Sequence, residues 1–437
     1  MMRCTLVRTS RWRCGPLLFV VLLSASPTMA DQGQPASLPA PAANAAASSG
    51  AIGKVSWPDI VLLVDQHPRL SVGKFHIDAA RKGVDATGAV PNPTLEGNVG
   101  QGVARTGNTS RLEWGLAVTM PLGWIAQRGA RIDAAEAEFE ITLAESKALR
   151  REVLLQLRTL FWNLAYEQAR VTSLLDLEAQ TLALVETVRK RVEKGEVRPV
   201  EATRVEIEFE KVTSELESAR TSLSARQAEL ALWLGLPAGG TILAVVELDA
   251  LPVAVDRDVA LAKARSGHPA LAVARARTRF LEAEVSTERM ARIPSFFVTG
   301  FTNYELDRRA YGVGLAVDVP LWNWNSGRIV QAEAKQAAGR KQGQATGLEV
   351  EASVLEAQSA CQASVTTATR FKNNVVPRSE SAAATMEKTY QLGEASLLEV
   401  IDARRTLLDS RRLYLSVLAQ AQIDCSRLGA LVGEEPT

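Results

Sequence analysis

The chain is written twice. Gly195-Glu196 returns as Gly393-Glu394 at an offset of 198 residues. His67-Pro68-Arg69-Leu70 returns as His268-Pro269-Ala270-Leu271 at 201, and Pro93 returns as Pro294 at the same offset. Gly115-Leu116-Ala117-Val118-Thr119-Met120-Pro121-Leu122 returns as Gly314-Leu315-Ala316-Val317-Asp318-Val319-Pro320-Leu321 at 199. Arg131-Ile132 returns as Arg328-Ile329 at 197, and Leu234-Gly235 as Val432-Gly433 at 198. A period this long is not that of a solenoid unit, so one structural module is used twice. The copies occupy residues 56–256 and 257–433, with a tail at 434–437.

Each copy is dominated by helix. A long apolar-periodic run reaches Gly393, breaks there and resumes, with Ser396 placed to cap the returning helix. Glycine accepts the left-handed conformation that ends a helix, and so short a turn makes the two helices antiparallel. In the first copy Pro199 follows Gly195 and suits the first turn of the returning helix. The long runs, Ala126 to Lys194 and Ser326 to Leu392, would each extend about 100 Å. The returning helices are Pro199 to Leu234 and Ser396 to Leu431. Val350, Val354, Ala357, Cys361, Ser364, Ala368, Phe371 and Val375 alternate steps of four and three, a coiled-coil seam that Pro377 should bend or interrupt. Leu418, Ala421, Cys425, Leu428 and Val432 step likewise. Between the copies, Gly235 to Asp256 reads as a linker packed on the outside of the body.

Cys361 and Cys425 each lie 32 residues from Gly393, so an antiparallel hairpin sets them at nearly the same height. In an oxidising compartment they are candidates for a disulfide. The alternative is two small buried side chains that never bond, and a bend at Pro377 would disturb their register.

The period changes to two before each long helix. Leu112, Trp114, Leu116, Val118 and Met120 alternate with small or polar residues over 111–121, and Tyr311, Val313, Leu315, Val317 and Val319 do so over 311–320. Upstream partners at 94–102 and 295–304 complete one hairpin per copy. An ordinary half-buried hairpin would show the same alternation. Three features favour a membrane barrel instead. The strands have the ~9–11 residues needed to span. Trp114, Trp124, Trp322 and Trp324 lie in or just beyond them, as membrane-interface aromatics would. The other face is small and polar, which leaves a lumen open. Four strands cannot close a barrel, and lipid tolerates no open edge, so copies must associate. A dimer gives eight strands and a trimer twelve.

Residues 1–30 carry Arg3, Arg8, Arg11 and Arg13, the apolar run Leu17 to Leu23 and a small-residue exit at Ala30, the pattern of a secretory signal peptide. Cys14 precedes the apolar run, so no lipid anchor is expected. Residues 31–55, rich in Ala, Pro and Ser, read as a flexible leader. Without the first thirty residues the net charge changes from +1 to −3, which gives no long-range reason to expect nucleic acid. No later helix has the ~18 uncharged apolar residues of a membrane span. The three histidines, His67, His76 and His268, form no metal-ligand spacing, and no phosphate loop or nucleophile elbow occurs. The expectation is a protein without cofactor or catalysis, working by shape. A soluble periplasmic coiled-coil scaffold is the reading of another class.

The arrangement as a whole resembles the TolC-like outer-membrane efflux family over about residues 57–433. The resemblance is carried by Tyr390-x-x-Gly393 with Leu398-Glu399-Val400-Ile401-Asp402-Ala403, and by Leu428-Gly429-Ala430-Leu431-Val432-Gly433. Met120-Pro121-Leu122-Gly123-Trp124 to Gln127-Arg128-Gly129-Ala130-Arg131, with Pro91-Asn92-Pro93-Thr94-Leu95, resembles the heavy-metal (cobalt–zinc–cadmium type) subgroup. Membership implies a homotrimer with a twelve-stranded barrel in outer-membrane lipid above a periplasmic α-helical barrel. It implies docking onto a periplasmic adaptor (membrane fusion) protein and an inner-membrane pump of the RND type. Gly195, Glu196, Gly393 and Glu394 would then be the adaptor-docking tips, where a plain solvated turn is the alternative. Glu399 and Asp402 would line the channel constriction as rings of carboxylates, where a solvated helix face is the alternative. The implied function is a passive exit duct for heavy-metal cations. A multidrug or type I secretion duct would share the fold.

Overall fold

The computed structural model describes residues 53–65, 67–103, 110–236, 241–246, 250–306 and 308–433. The signal peptide, most of the leader and the 434–437 tail lie outside them. The leader as read to residue 55 needs one correction. Gly53–Val55 (β1) pairs in parallel with Ile242–Ala244 (β4), and Val55 and Ile242 are buried. The linker between the copies thus supplies a strand to the core, because two short apolar triplets can satisfy each other's backbone beside the helices.

The first copy runs α1 (Trp57–Val64), α2 (Pro68–Thr87), β2 (Thr94–Val103), β3 (Ser110–Pro121), α3 (Trp124–Glu193) and α4 (Pro199–Trp233). The second runs α5 (Arg257–Gly267), α6 (Pro269–Met290), β5 (Ser295–Tyr304), β6 (Arg309–Asp318), α7 (Ser326–Arg370), a π-helical turn (Phe371–Val375), α8 (Val376–Gln391) and α9 (Leu397–Leu431). The histidines at 67 and 268 are helix caps. Nδ1 of His67 accepts from the Arg69 amide (3.2 Å) and Nδ1 of His268 from that of Ala270 (3.1 Å), each beside a proline in the first turn. Burial, then the Arg69 charge, pushes the His67 imidazole below its ordinary pKa; burial, then Arg151, does the same at His268.

α3 has seventy residues in one unbroken helix, about 105 Å at 1.5 Å per residue. Its middle is the centre of the main core. Leu154, Leu157, Phe161 and Leu164 pack there with Trp57, Ile60 and Val64 of α1 and with Leu230 of α4. Each such fully buried side chain contributes about 1.5–3 kcal/mol. Arg158 crosses this region with its guanidinium 4.5 Å from the Trp57 ring and 5.6 Å from that of Trp162, and burial pushes its pKa down to about 10.

The second long helix is interrupted where the first is not, and the sequence holds the reason. Arg131 to Gly195 spans 64 residues, whereas Arg328 to Gly393 spans 65. The π turn absorbs that one extra residue just before Pro377. Its effect on the seam is visible. Val350, Val354, Ala357, Cys361 and Ala368 are buried in the expected register. Continued past Val375, that register names Arg378, Ala382, Thr385 and Thr389. The residues turned inward are Ser379, Ala383, Met386 and Tyr390, each one later. Ser379 Oγ and Ser410 Oγ of α9 hydrogen-bond within this seam at 2.9 Å.

Candidate functional site

Both helical hairpins end in the same turn. Gly195 (φ +75°) and Gly393 (φ +83°) sit in the left-handed region. The Glu196 amide donates to the Arg191 carbonyl and the Gly195 amide to that of Val192, both at 2.9 Å. Glu394 to Thr389 (2.9 Å) and Gly393 to Tyr390 (3.1 Å) repeat the pattern. These are Schellman caps, which consume the last helical carbonyls and leave the tips free of strain. A Cβ at either glycine would meet nothing within 4 Å, so conformation alone selects glycine there.

The structure brings the two tips side by side. Leu184, Val185 and Val188 of α3, Val205 of α4, Tyr390 of α8 and Leu397, Val400 and Ile401 of α9 form one buried cluster. The Arg191 guanidinium lies 4.8 Å from the Tyr390 ring, and Nη2 donates to the Gln391 carbonyl at 3.4 Å. Arg404 of α9 reaches the Gln180 carbonyl of α3 (3.1 Å) and Glu387 of α8 (2.7 Å). Above the tips a cleft of about 250 Å³ separates α4 from α9, with Leu177, Thr181 and Leu184 of α3 along it. The ion pairs Arg405–Glu208 and Arg412–Glu215 span it.

Of the two carboxylates assigned to a constriction, one has a local task. Ser396 and Glu399 form a capping box: Glu399 Oε2 accepts from the Ser396 amide (2.7 Å) and Oγ (2.9 Å), and Ser396 Oγ from the Glu399 amide (3.4 Å). Those bonds, the backbone one first, hold the Glu399 pKa below its ordinary value, so it stays ionised. The Ser-x-x-Glu spacing was legible in the sequence. Asp402 is exposed one turn on, and its charge adds to the dominant Glu208 hydrogen bond in keeping Arg405 protonated.

At the far end of the long helices lies a four-stranded antiparallel sheet in the order β2-β3-β5-β6. The pairings sort its residues onto two faces, because directly opposed residues point the same way. One face carries Leu95, Val99, Leu112, Trp114, Leu116, Val118, Tyr311, Val313, Leu315 and Val317, all exposed. The other carries Glu96, Asn98, Glu113, Gly115, Thr119, Thr299, Asn303, Gly314 and Asp318. Thr119 and Thr299 hydrogen-bond across the β3–β5 junction at 2.9 Å. Phe297 and Phe301 depart from the small-and-polar pattern, and the Phe301 ring lies over Gly312. β3 is twelve residues long, about 40 Å of strand, which a tilt of about 40° reduces to about 30 Å. Trp114 stacks on Tyr304 near one end (centroids 6.1 Å apart). At the other end Trp124 opens α3 beside Arg128, while Trp322, 93% exposed, and Trp324 project from the β6–α7 connection. An apolar face of this extent suits lipid, not water.

Cys361 and Cys425 are joined as a disulfide, with Cα atoms 4.8 Å apart. The expected difficulty at Pro377 does not arise. Cys361 lies 30 residues before the end of α8 and Cys425 lies 28 after the start of α9, so the arms are unequal and the π turn takes up one residue of the difference.

A membrane-facing sheet carried on coiled-coil helices about 100 Å long defines an outer-membrane channel protein. The chain belongs to the outer membrane efflux protein family, whose model matches residues 60–236 and 260–434, one copy each. The reading as a soluble periplasmic scaffold falls with that match. Among curated proteins the chain is 28% identical over 370 residues to the cobalt-zinc-cadmium resistance protein CzcC of Cupriavidus metallidurans, covering 83% of this chain and 86% of that one. It is 25% identical over 306 residues to the nickel-cobalt-cadmium resistance protein NccC of Alcaligenes xylosoxydans xylosoxydans, covering 67% and 68%. Among solved structures, the transmembrane channel CusC superposes with a TM-score of 0.71 at 16% identity, covering 86% of this chain and 92% of that one. The outer membrane protein VceC of Vibrio cholerae gives 0.69 at 19%, covering 87% and 97%.

Proposed function

We propose that the chain is the passive exit duct of a tripartite efflux system, exported with loss of residues 1–30 and assembled as a homotrimer, with heavy-metal cations as its cargo. The observation that carries this is the four-stranded sheet, apolar on one face and, apart from Phe297 and Phe301, small or polar on the other, with β2 and β6 unpaired at its edges. Open edges cost several kcal/mol per unsatisfied group in lipid, so the edges must be closed by further copies, and three copies give twelve strands. The metal cargo is supported by the two metal-resistance relatives and by the exposed carboxylates above the tip. The adjacent Gly195-Glu196 and Gly393-Glu394 turns form one surface for a periplasmic adaptor, and an inner-membrane pump supplies the energy.

A strain lacking the gene, tested against cobalt, zinc, cadmium, nickel and a panel of drugs, decides the cargo. Sensitivity to metals with unchanged drug resistance is expected. Drug sensitivity alone would move the assignment to a multidrug duct. Retention of a secreted polypeptide, with both resistances intact, would move it to type I secretion.

A further inference from the structure

At the helix end of the sheet the first copy carries a cavity of about 440 Å³. It is lined by Val90, Pro91 and Asn92, which lead from α2 into β2, and by Trp124, Arg128 and Arg131 at the start of α3. The last three stand four and three residues apart, so they share one stripe of that helix. Arg128 Nε donates to the Gly88 carbonyl (3.1 Å) and Arg131 Nη2 to Gln127 Oε1 (2.7 Å). Neither guanidinium has a carboxylate partner among the described residues, and the first turn of α3 holds no acid. The Trp124 ring lies 5.9 Å from the Arg128 guanidinium, and its indole N–H is buried without an acceptor.

The second copy has an acceptor of its own at this corner. Arg128 maps onto Asn325 by the 197 residues that relate Arg131 to Arg328, and Thr87 maps onto Glu288 by the 201 that relate Pro93 to Pro294. The Asn325 amide donates to the Glu288 carboxylate (2.7 Å) and carbonyl (2.8 Å). In the first copy a hydroxyl stands in place of that carboxylate, and it turns back on its own helix: Thr87 Oγ1 donates to the Gly83 carbonyl at 2.8 Å. At these two positions the first copy lacks one negative charge and holds one more positive charge.

We infer that the cavity binds the phosphate of an anionic glycerophospholipid in the periplasmic leaflet of the outer membrane, with Arg128 and Arg131 donating to its oxygens and its acyl chains along the apolar face of the sheet. Arginine forks match phosphate oxygens two at a time, and basic pockets at a membrane boundary hold anionic head groups. The buried Trp124 N–H is a further donor in need of an acceptor. Location selects a lipid over a free anion. Leu95, the second residue of β2, and Val118 opposite it begin the lipid-facing surface, and Val90 in the cavity lining is exposed as well. The long helices extend into the periplasm, so this end of the sheet meets the phospholipid leaflet. Two guanidinium groups without a carboxylate favour a head group of net negative charge over a zwitterionic one. The lining belongs to one chain, so binding depends neither on the number of copies nor on the cargo.

Native mass spectrometry of the purified protein in detergent tests the site, with phosphatidylglycerol, phosphatidylethanolamine and inorganic phosphate as probes. One phosphatidylglycerol per chain should bind in preference to phosphatidylethanolamine, and inorganic phosphate should not displace it. Displacement by inorganic phosphate would make this a free-anion site and overturn the lipid. Thr87→Glu supplies the carboxylate that the second copy has and leaves both arginines in place; it should weaken phosphatidylglycerol binding about tenfold, as should Arg131→Ala. Arg328→Ala removes the same charge from the mate position and should leave binding unchanged. Equal losses in Arg131→Ala and Arg328→Ala would mean general attraction of a basic collar to anionic lipid and would overturn the site. Full binding in Thr87→Glu would overturn it too, and where Arg131→Ala fails to assemble, Thr87→Glu alone decides.

Discussion

Reducing the Cys361–Cys425 bond should weaken the second hairpin by an amount its loop predicts. The bond closes a segment of 64 residues that contains the π turn, α8, the tip and most of α9. Cross-linking a loop of that length removes about 14 cal/mol/K of entropy from the unfolded chain, or about 4 kcal/mol at room temperature. Spread over the unfolding entropy of a chain this size, about 0.8 kcal/mol/K, the loss lowers the melting temperature by roughly 5 °C. The first hairpin provides an internal control. The repeat mates of the cysteines are Leu164, buried in the main core, and Gln227, whose Nε2 donates to the Ile242 carbonyl at 3.0 Å. Packing and a hydrogen bond hold that hairpin, and reductant should leave it alone. The assay is thermal loss of helical circular dichroism in detergent, with and without reductant, alongside hydrogen exchange of α4 and α9. Alkylation and mass spectrometry count the free thiols in each sample. Protection should fall in α8 and α9 and hold in α4. An unchanged melting temperature with both thiols demonstrably free would refute the loop-entropy reasoning. Two free thiols in material kept oxidised throughout would remove the bond itself.

Three further outcomes are expected. Bulky residues at Gly195 or Gly393 cost about 1–2 kcal/mol through their left-handed φ and should abolish resistance while leaving trimers in the membrane; normal resistance would remove these tips from docking. Since the capping box holds the Glu399 pKa below its unfolded value, its contribution is present above the ordinary carboxylate range and is lost as pH falls through the depressed value. Protection of the amides at the start of α9, corrected for their intrinsic exchange rate, should therefore fall at pH below the ordinary carboxylate range, and Ser396→Ala should remove that dependence. Asp402→Asn with Glu399→Gln should reduce cation preference in planar bilayers, and an unchanged ion preference would count against carboxylate rings.

Much of the architecture is legible in the sequence because its signals are local. A step of three and four residues marks Val350 to Ala368 as a seam wherever that helix lies, and alternation marks β3 and β6 whatever covers them. Gly195 and Gly393 identify their own turns, since positive φ is a property of one residue. Even the disulfide pair could be read from distances along the chain. What tertiary structure alone decided concerns which surfaces meet. One inserted residue moves the seam onto Tyr390, which places that ring beside Arg191 and joins two tips that lie 198 residues apart. Val55, assigned to a flexible leader, finds Ala244 across a parallel ribbon. Periodicity reports that a face is apolar and not what covers it, because the covering free energy comes from residues far along the chain whose approach is fixed only when the whole fold closes.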